Sequence, residues 1–122
     1  MRRNWLARAG IVLTLMAFLF SGCGEENPFA PSRNDNEVWI TSSSFDPSTL
    51  TVSVGTTVRW INQDNVVHDI TGGSSGNPDN SVITPSPPMN ANESHAVTFT
   101  AAGSFKFFCT IHPTKTGTIV VR

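Results

Sequence analysis

The segment SHAVTFTAAGSFKFFCTIHPTKTGTIVV, residues 94–121, decides the fold of this chain. It contains three β-type runs, at 94–100, 104–109 and 117–121, separated by turn residues. Apolar side chains alternate along the first two runs, which is typical of strands with one buried face. We therefore predict a hairpin across residues 101–103 that brings the two apolar faces into one core. Cys109 has the parity of Phe105 and Phe107, so its thiol should point inward.

The chain before this segment continues the β pattern back to residue 37. Four more runs lie at 38–41, 50–54, 57–62 and 66–71, and no stretch has a sustained helical period. In the second and third of these runs, Val52, Val54, Val58 and Trp60 share one face. Residues 72–92 are rich in Gly, Ser, Asn and Pro and predict a surface loop with room for one short strand. Seven or eight short strands indicate an all-β fold, a β-sandwich.

The amino terminus has the layout of a secretory signal peptide. Three arginines precede an uncharged apolar run at 9–20, which is shorter than the roughly 20 residues of a spanning helix. The string LFSGC, residues 19–23, resembles a bacterial lipoprotein box, whose cysteine is acylated. A plain secretory signal with an incidental cysteine is the alternative, and the pair Arg2-Arg3 also faintly resembles a twin-arginine export signal.

These features divide the chain into three parts. We assign residues 1–22 to a signal peptide of lipoprotein type, 23–36 to a flexible tether anchored by lipid on Cys23, and 37–122 to one folded domain. Without the signal, five basic residues face nine acidic ones, a net charge of −4. Such a charge argues against nucleic-acid binding, and we expect a monomer.

Cys109 has no disulfide partner if Cys23 carries lipid. Either it is a buried cysteine that acts as a small hydrophobe, or it is a thiolate that a metal ion protects from oxidation. His112 follows three residues later on a turn, and His68 lies 41 residues upstream in DNVVHD. One thiolate and two neutral imidazoles suit copper. A haem-attachment motif would need a second cysteine, which is missing.

Residues 37–122 are similar to the cupredoxins, and most similar to the plastocyanin, pseudoazurin and amicyanin branch. The strings that carry the resemblance are FDP at 45–47, LTVSVGTTV at 50–58, WIN at 60–62, VHDI at 67–70, ESHAVTF at 93–99, AGSF at 102–105 and the cysteine–histidine turn. The resemblance implies a Greek-key β-sandwich with one type 1 copper ion, held by His68, Cys109 and His112. It also implies electron transfer as the function and no ligand role for His95. Oxidation of small substrates would need further copper centres, and three histidines are too few to build them, so we expect no enzymatic activity.

One residue departs from the family pattern. Relatives with a short ligand turn carry a weakly bound axial methionine three residues after the histidine, where this chain has Lys115. We expect the lysine to turn outward to water. The axial position is then open, or filled by Thr116, a water or a backbone carbonyl near Val67. Met89, in the long loop, has no pattern that supports a ligand role.

The resulting functional hypothesis is a lipid-anchored blue copper electron carrier. It would lie on the periplasmic or outer face of a bacterial membrane and exchange single electrons with redox proteins of the cell envelope, through His112 and the apolar residues beside it. A copper-delivery protein without redox cycling is one alternative, although the single methionine after the signal argues against it. A metal-free cupredoxin domain that serves as a binding module is the other.

The lipoprotein interpretation makes a direct prediction. Wild-type protein should carry acyl chains on Cys23 and partition with membranes, whereas Cys23→Ala should be released or misprocessed, because it lacks the acylated thiol. Fractionation and mass spectrometry of the mature amino terminus measure both. A freely soluble wild-type protein with an unmodified terminus would contradict the interpretation.

Overall fold

The structure, a computed structural model, describes residues 33–122. This part of the chain contains nine short strands. They are β1 (Glu37–Ile40), β2 (Phe45–Asp46), β3 (Thr49–Val52), β4 (Thr57–Asn62), β5 (Thr71–Ser74), β6 (Asn77–Pro78), β7 (Ser94–Thr98), β8 (Gly103–Phe108) and β9 (Thr116–Val121). The predicted all-β class is confirmed. The strand count exceeds the predicted seven or eight, because β2 and β6 have only two residues each.

The strands form two sheets that pack around a shared apolar core. One sheet has the order β2-β1-β4-β7 and the other β3-β9-β8-β5-β6. Phe107 of β8 contacts Phe45 and Trp60 of the opposite sheet edge to face, with ring centroids 4.8 and 5.3 Å apart. Aromatic pairs favour this arrangement, and burying them contributes much of a core's stability. The fold is therefore a β-sandwich, and its ninth strand lies between β3 and β8, the strand that ends directly before the cysteine.

The predicted hairpin across residues 101–103 is wrong. β7 pairs with β4 in one sheet, and β8 pairs with β9 in the other, so this connection crosses between the sheets. The apolar alternation correctly identified the buried faces of Val97, Phe99 and Phe107. Alternation specifies which face of a strand is buried, but it does not specify the neighbouring strand.

Two other local predictions also need correction. The apolar alternation places Val54 on the same face as the buried Val58 and Trp60, yet 49% of Val54 is exposed, because it lies beyond the end of β3. The run at 66–71 does not form a strand. Instead, β5 begins at Thr71, and His68 within the run forms an isolated bridge with Met89. The β5–β6 hairpin then occupies the start of the predicted surface loop.

The predicted signal peptide at 1–22, Cys23 and the tether up to residue 32 lie outside the described residues. Between residues 33 and 122, the structure contains no helix that is long and apolar enough to cross a bilayer.

The absence of a side chain on Gly117 leaves room for the ring of the core residue Phe107. The two residues are registered opposite each other on β8 and β9, and a Cβ on Gly117 would lie 2.3 Å from Cζ of the Phe107 ring. We expect Gly117→Ala to lower the free energy of unfolding by about 1–3 kcal/mol, because the ring is confined on its other sides. Urea denaturation of this variant and of the exposed control Thr116→Ala tests the prediction, and equal midpoints for the two would refute it.

Candidate metal centre

Three side chains from two loops meet at one end of the sandwich. Sγ of Cys109, just after β8, lies 3.7 Å from Nδ1 of His68 and 4.0 Å from Nδ1 of His112. One potential ligand atom from each residue lies within 4.8 Å of the other two. His68 comes from the loop between β4 and β5, and His112 from the turn between β8 and β9. The structure thus brings together all three residues that the sequence singled out.

The buried amide of Asn62 holds the loop that carries His68. Its Nδ2 donates to the carbonyls of Val66 and Met89, at 2.8 and 2.9 Å, and its Oδ1 accepts from the N–H of Asp64 at 2.9 Å. His68 and Met89 also exchange backbone hydrogen bonds, at 3.2 and 2.8 Å. These local bonds replace the predicted strand, because side-chain amides and carboxylates compete for backbone groups. As a result, His68 is fixed in position and only 1% exposed.

A carboxylate contacts the far side of the His68 ring. Nε2 of His68 lies 2.8 Å from Oδ2 of Asp64, and Oδ1 of Asp64 accepts from the N–H of Asn65. The hydrogen bond to His68 is the main reason why the pKa of Asp64 is lowered, with the Asn65 N–H and the charge of Lys115 as further contributions. An ionised carboxylate can only accept, so in a neutral imidazole this hydrogen bond favours the proton on Nε2. Nδ1, which faces Cys109, is then left with a free lone pair.

The thiol of Cys109 is buried and held by the neighbouring loop. Asp69 donates its backbone N–H to Sγ at 3.5 Å, and its carboxylate accepts from both the N–H and the hydroxyl of Thr110. Burial raises the pKa of the Cys109 thiol. Because a metal binds the thiolate, metal binding must displace a proton there.

His112 is the exposed member of the cluster. Near these loops, Val66, Val67 and Ile111 are 48%, 37% and 46% exposed, which are high values for large apolar side chains. Ile111 is one of the apolar residues predicted beside His112, whereas the two valines were not predicted. Their position directly before His68 was the available signal.

The prediction that Lys115 turns outward is wrong. The residue is only 6% exposed, and its Nζ donates to the carbonyl of Thr41, just after β1, at 2.7 Å. Its backbone carbonyl accepts from the N–H of Cys109, and its N–H donates to the carbonyl of His112. A long aliphatic stem can pack in an apolar interior when its charged end has a polar partner, which the Thr41 carbonyl supplies here. Lys115 thus ties the ligand turn to the opposite sheet.

Two further residues, His95 and Met89, have other contacts in the described part of the chain. Nε2 of His95 bonds the carbonyl of Thr84 at 2.8 Å. Met89 is 2% exposed and packs in the hydrophobic core.

The geometry fits a single soft transition-metal ion. Nitrogen and sulfur ligands about 2.0–2.3 Å from a shared ion lie about 3.5–4 Å apart at tetrahedral or trigonal angles, close to the two sulfur–nitrogen distances measured here. A thiolate with two imidazoles favours copper or zinc over the hard cations, and these three donors are the equatorial set of blue copper sites. Fold and donors together define a mononuclear metal site on a β-sandwich.

Comparison with known proteins identifies the family. Residues 34–122 match the model of the copper binding proteins of the plastocyanin/azurin family. The amicyanin of Paracoccus denitrificans is 32% identical over 102 residues, which are 80% of this chain and 75% of that protein.

Two solved structures show the same fold. A purple cupredoxin from Nitrosopumilus maritimus superposes with a TM-score of 0.65 at 28% identity, covering 70% of this chain and 98% of that one. An oxidized methionine-to-lysine mutant of amicyanin superposes with a TM-score of 0.64 at 29% identity, over 75% of this chain and 86% of that one.

The chain belongs to the plastocyanin/azurin family of copper-binding proteins. Its cofactor is one type 1 copper ion, and its function is blue copper electron transfer.

The buried ammonium of Lys115 should affect the reduction potential. A cation near the ion favours the less positive Cu(I) state, and a methionine in its place removes that charge and offers a sulfur donor to Cu(II). We therefore expect Lys115→Met to lower the reduction potential. The decrease is about 60 mV for each tenfold rise in the ratio of Cu(II) to Cu(I) affinity. Voltammetry measures it, with Lys106→Met on the exposed side of β8 as the control. A variant potential equal to or above the wild-type value would contradict this role.

Proposed function

We propose that His68, Cys109 and His112 are the equatorial ligands of the copper ion, and that this domain exchanges single electrons with redox proteins. The observation that carries the proposal is the convergence of one thiol and two imidazole nitrogens within 4.8 Å. The bound ion would alternate between Cu(II) and Cu(I), and the chain would supply a site that changes little between the two states.

Hydrogen bonds from outside the ligand set supply that rigidity. Asn62 fixes the His68 loop, Asp69 joins that loop to Thr110, and Lys115 holds the turn between Cys109 and His112. Each ligand is therefore positioned before the metal arrives. Small movement of the ligands lowers the reorganisation that a change of oxidation state requires.

His112 is the proposed route for electrons. Cys109 and His68 are buried, whereas the His112 ring is open to a partner. The exposed Val66, Val67 and Ile111 offer apolar surface for a short-lived contact near this histidine.

The location of the protein is part of the same proposal. The signal-like segment and Cys23 support export and lipid anchoring on the periplasmic or outer face of a bacterial membrane, with redox partners in the cell envelope. We also propose that the protein is a monomer. We propose that it has no enzymatic activity, because oxidation of small substrates would need further copper centres. The chain has three histidines in all, too few to build them.

The ligand assignment is tested by the spectrum of the copper-loaded protein. Cu(II)-loaded wild type should show intense visible absorption from thiolate-to-copper charge transfer, and Cys109→Ser should abolish it, because serine offers no sulfur. His95→Ala is the matched control and should keep the absorption. Loss of the band only in His95→Ala, or a band that survives in Cys109→Ser, would refute the ligand set.

A further inference from the structure

We propose that Asp64 is a positioning residue of the copper site, which fixes the His68 imidazole in the tautomer that binds metal and favours the oxidised ion. This inference rests on the proposed role of His68 as a ligand. It concerns a residue that does not touch the metal and acts through the ring of His68.

The geometry around Asp64 serves both parts of this role. Its Oδ2 accepts from Nε2 of His68 at 2.8 Å, while its Oδ1 accepts from the N–H of Asn65 at 2.8 Å, and its own N–H donates to Asn62. The carboxylate is therefore anchored by its own loop. The side chains of His68 and Asp64 are 1% and 11% exposed, so water competes little for this hydrogen bond.

The tautomer follows from the chemistry of the two partners. A carboxylate accepts but does not donate, so it holds the single proton of neutral His68 on Nε2. Nδ1, 3.7 Å from Sγ of Cys109, is then unprotonated and ready to bind. With the proton on Nδ1 instead, metal binding would first require its transfer to the buried Nε2.

The charge of Asp64 adds a second effect. A carboxylate behind a ligand imidazole makes the ring a stronger donor, and such pairs typically contribute 10- to 100-fold to metal affinity. The negative charge attracts a doubly charged ion more than a singly charged one. Asp64 should therefore stabilise Cu(II) relative to Cu(I) and oppose the effect of the nearby Lys115 ammonium.

Asp64→Asn is the informative substitution because it preserves the loop. The amide oxygen can still accept from the N–H of Asn65, which leaves the amide NH₂ facing Nε2 of His68. That group donates, so it favours the proton on Nδ1. Asp79→Asn is the matched control, since Asp79 likewise accepts from a nearby backbone N–H, that of Ser81, but has no contact with a ligand.

The first measurement uses the full-length protein without metal. Nitrogen-15 NMR should show His68 protonated on Nε2 in the wild type and in Asp79→Asn, and shifted toward Nδ1 protonation in Asp64→Asn. An unchanged tautomer in Asp64→Asn would overturn the positioning role.

The second measurement uses metal ions as probes. Zn²⁺, titrated against a competing chelator, should bind Asp64→Asn 10- to 100-fold more weakly than the wild type. For copper, the ratio of Cu(I) to Cu(II) affinity should rise about tenfold, which raises the potential by about 59 mV. Unchanged values of both quantities would also overturn the inference.

These results separate the inference from the proposed ligand set. A copper-loaded wild type and an Asp64→Asn variant with the same thiolate band, affinity and potential would refute the role of Asp64 and leave the ligands standing. A wild type without the thiolate band would refute the ligand set, while the tautomer of the metal-free protein still decides what Asp64 does to His68.

Discussion

The buried amide of Asn62 is the interaction on which the metal-binding end of the molecule depends. It ends β4 and bonds two segments that are far apart in sequence, the loop before His68 and the segment at Met89. A buried amide costs free energy unless its donors and acceptor are all satisfied, and here each one bonds a backbone group. Without it, the carbonyl of Val66 and the N–H of Asp64 would each lose this partner, and the His68 loop would lose its shape.

The same end of the molecule contains three charged side chains outside the proposed ligand set. Asp64 contacts one ligand ring, Asp69 links the His68 loop to Thr110, and Lys115 reaches across to Thr41. The side chains of Asp64 and Lys115 are 11% and 6% exposed, so their charges interact more strongly than they would on an open surface. The local charge around the site therefore depends on two carboxylates and one ammonium in addition to the three proposed ligands.

The sequence was most informative where a pattern had a single physical cause. Apolar alternation identified the buried faces of Trp60, Val97 and Phe107, because inward side chains must recur at every second residue. The cysteine–histidine spacing identified Cys109 and His112, because a strand end and a turn can aim two donors at one point. Strand partners were not predictable in this way, and the supposed hairpin at 101–103 is a crossing between sheets.

The errors at the site have a common origin in side-chain hydrogen bonds. The run at 66–71 has strand-forming residues, but the side chain of Asn62 bonds the backbone of Asp64 and Val66, and the side chain of Asp64 bonds the N–H of Asn65. These bonds hold a loop there instead. Lys115 was expected in water because a charge avoids an apolar interior. No pattern in the sequence indicates that the Thr41 carbonyl lies within its reach, since 74 residues separate the two.

The two shortest strands have a consequence for how copies of this protein meet. β2 and β6 each form an outer edge of a sheet and are only two residues long, and β6 ends in Pro78, which has no N–H to donate. A neighbouring molecule that approaches either edge finds almost no ladder of amide groups to continue. Copies of the protein at high local concentration should therefore resist pairing edge to edge into extended sheets along β2 and β6.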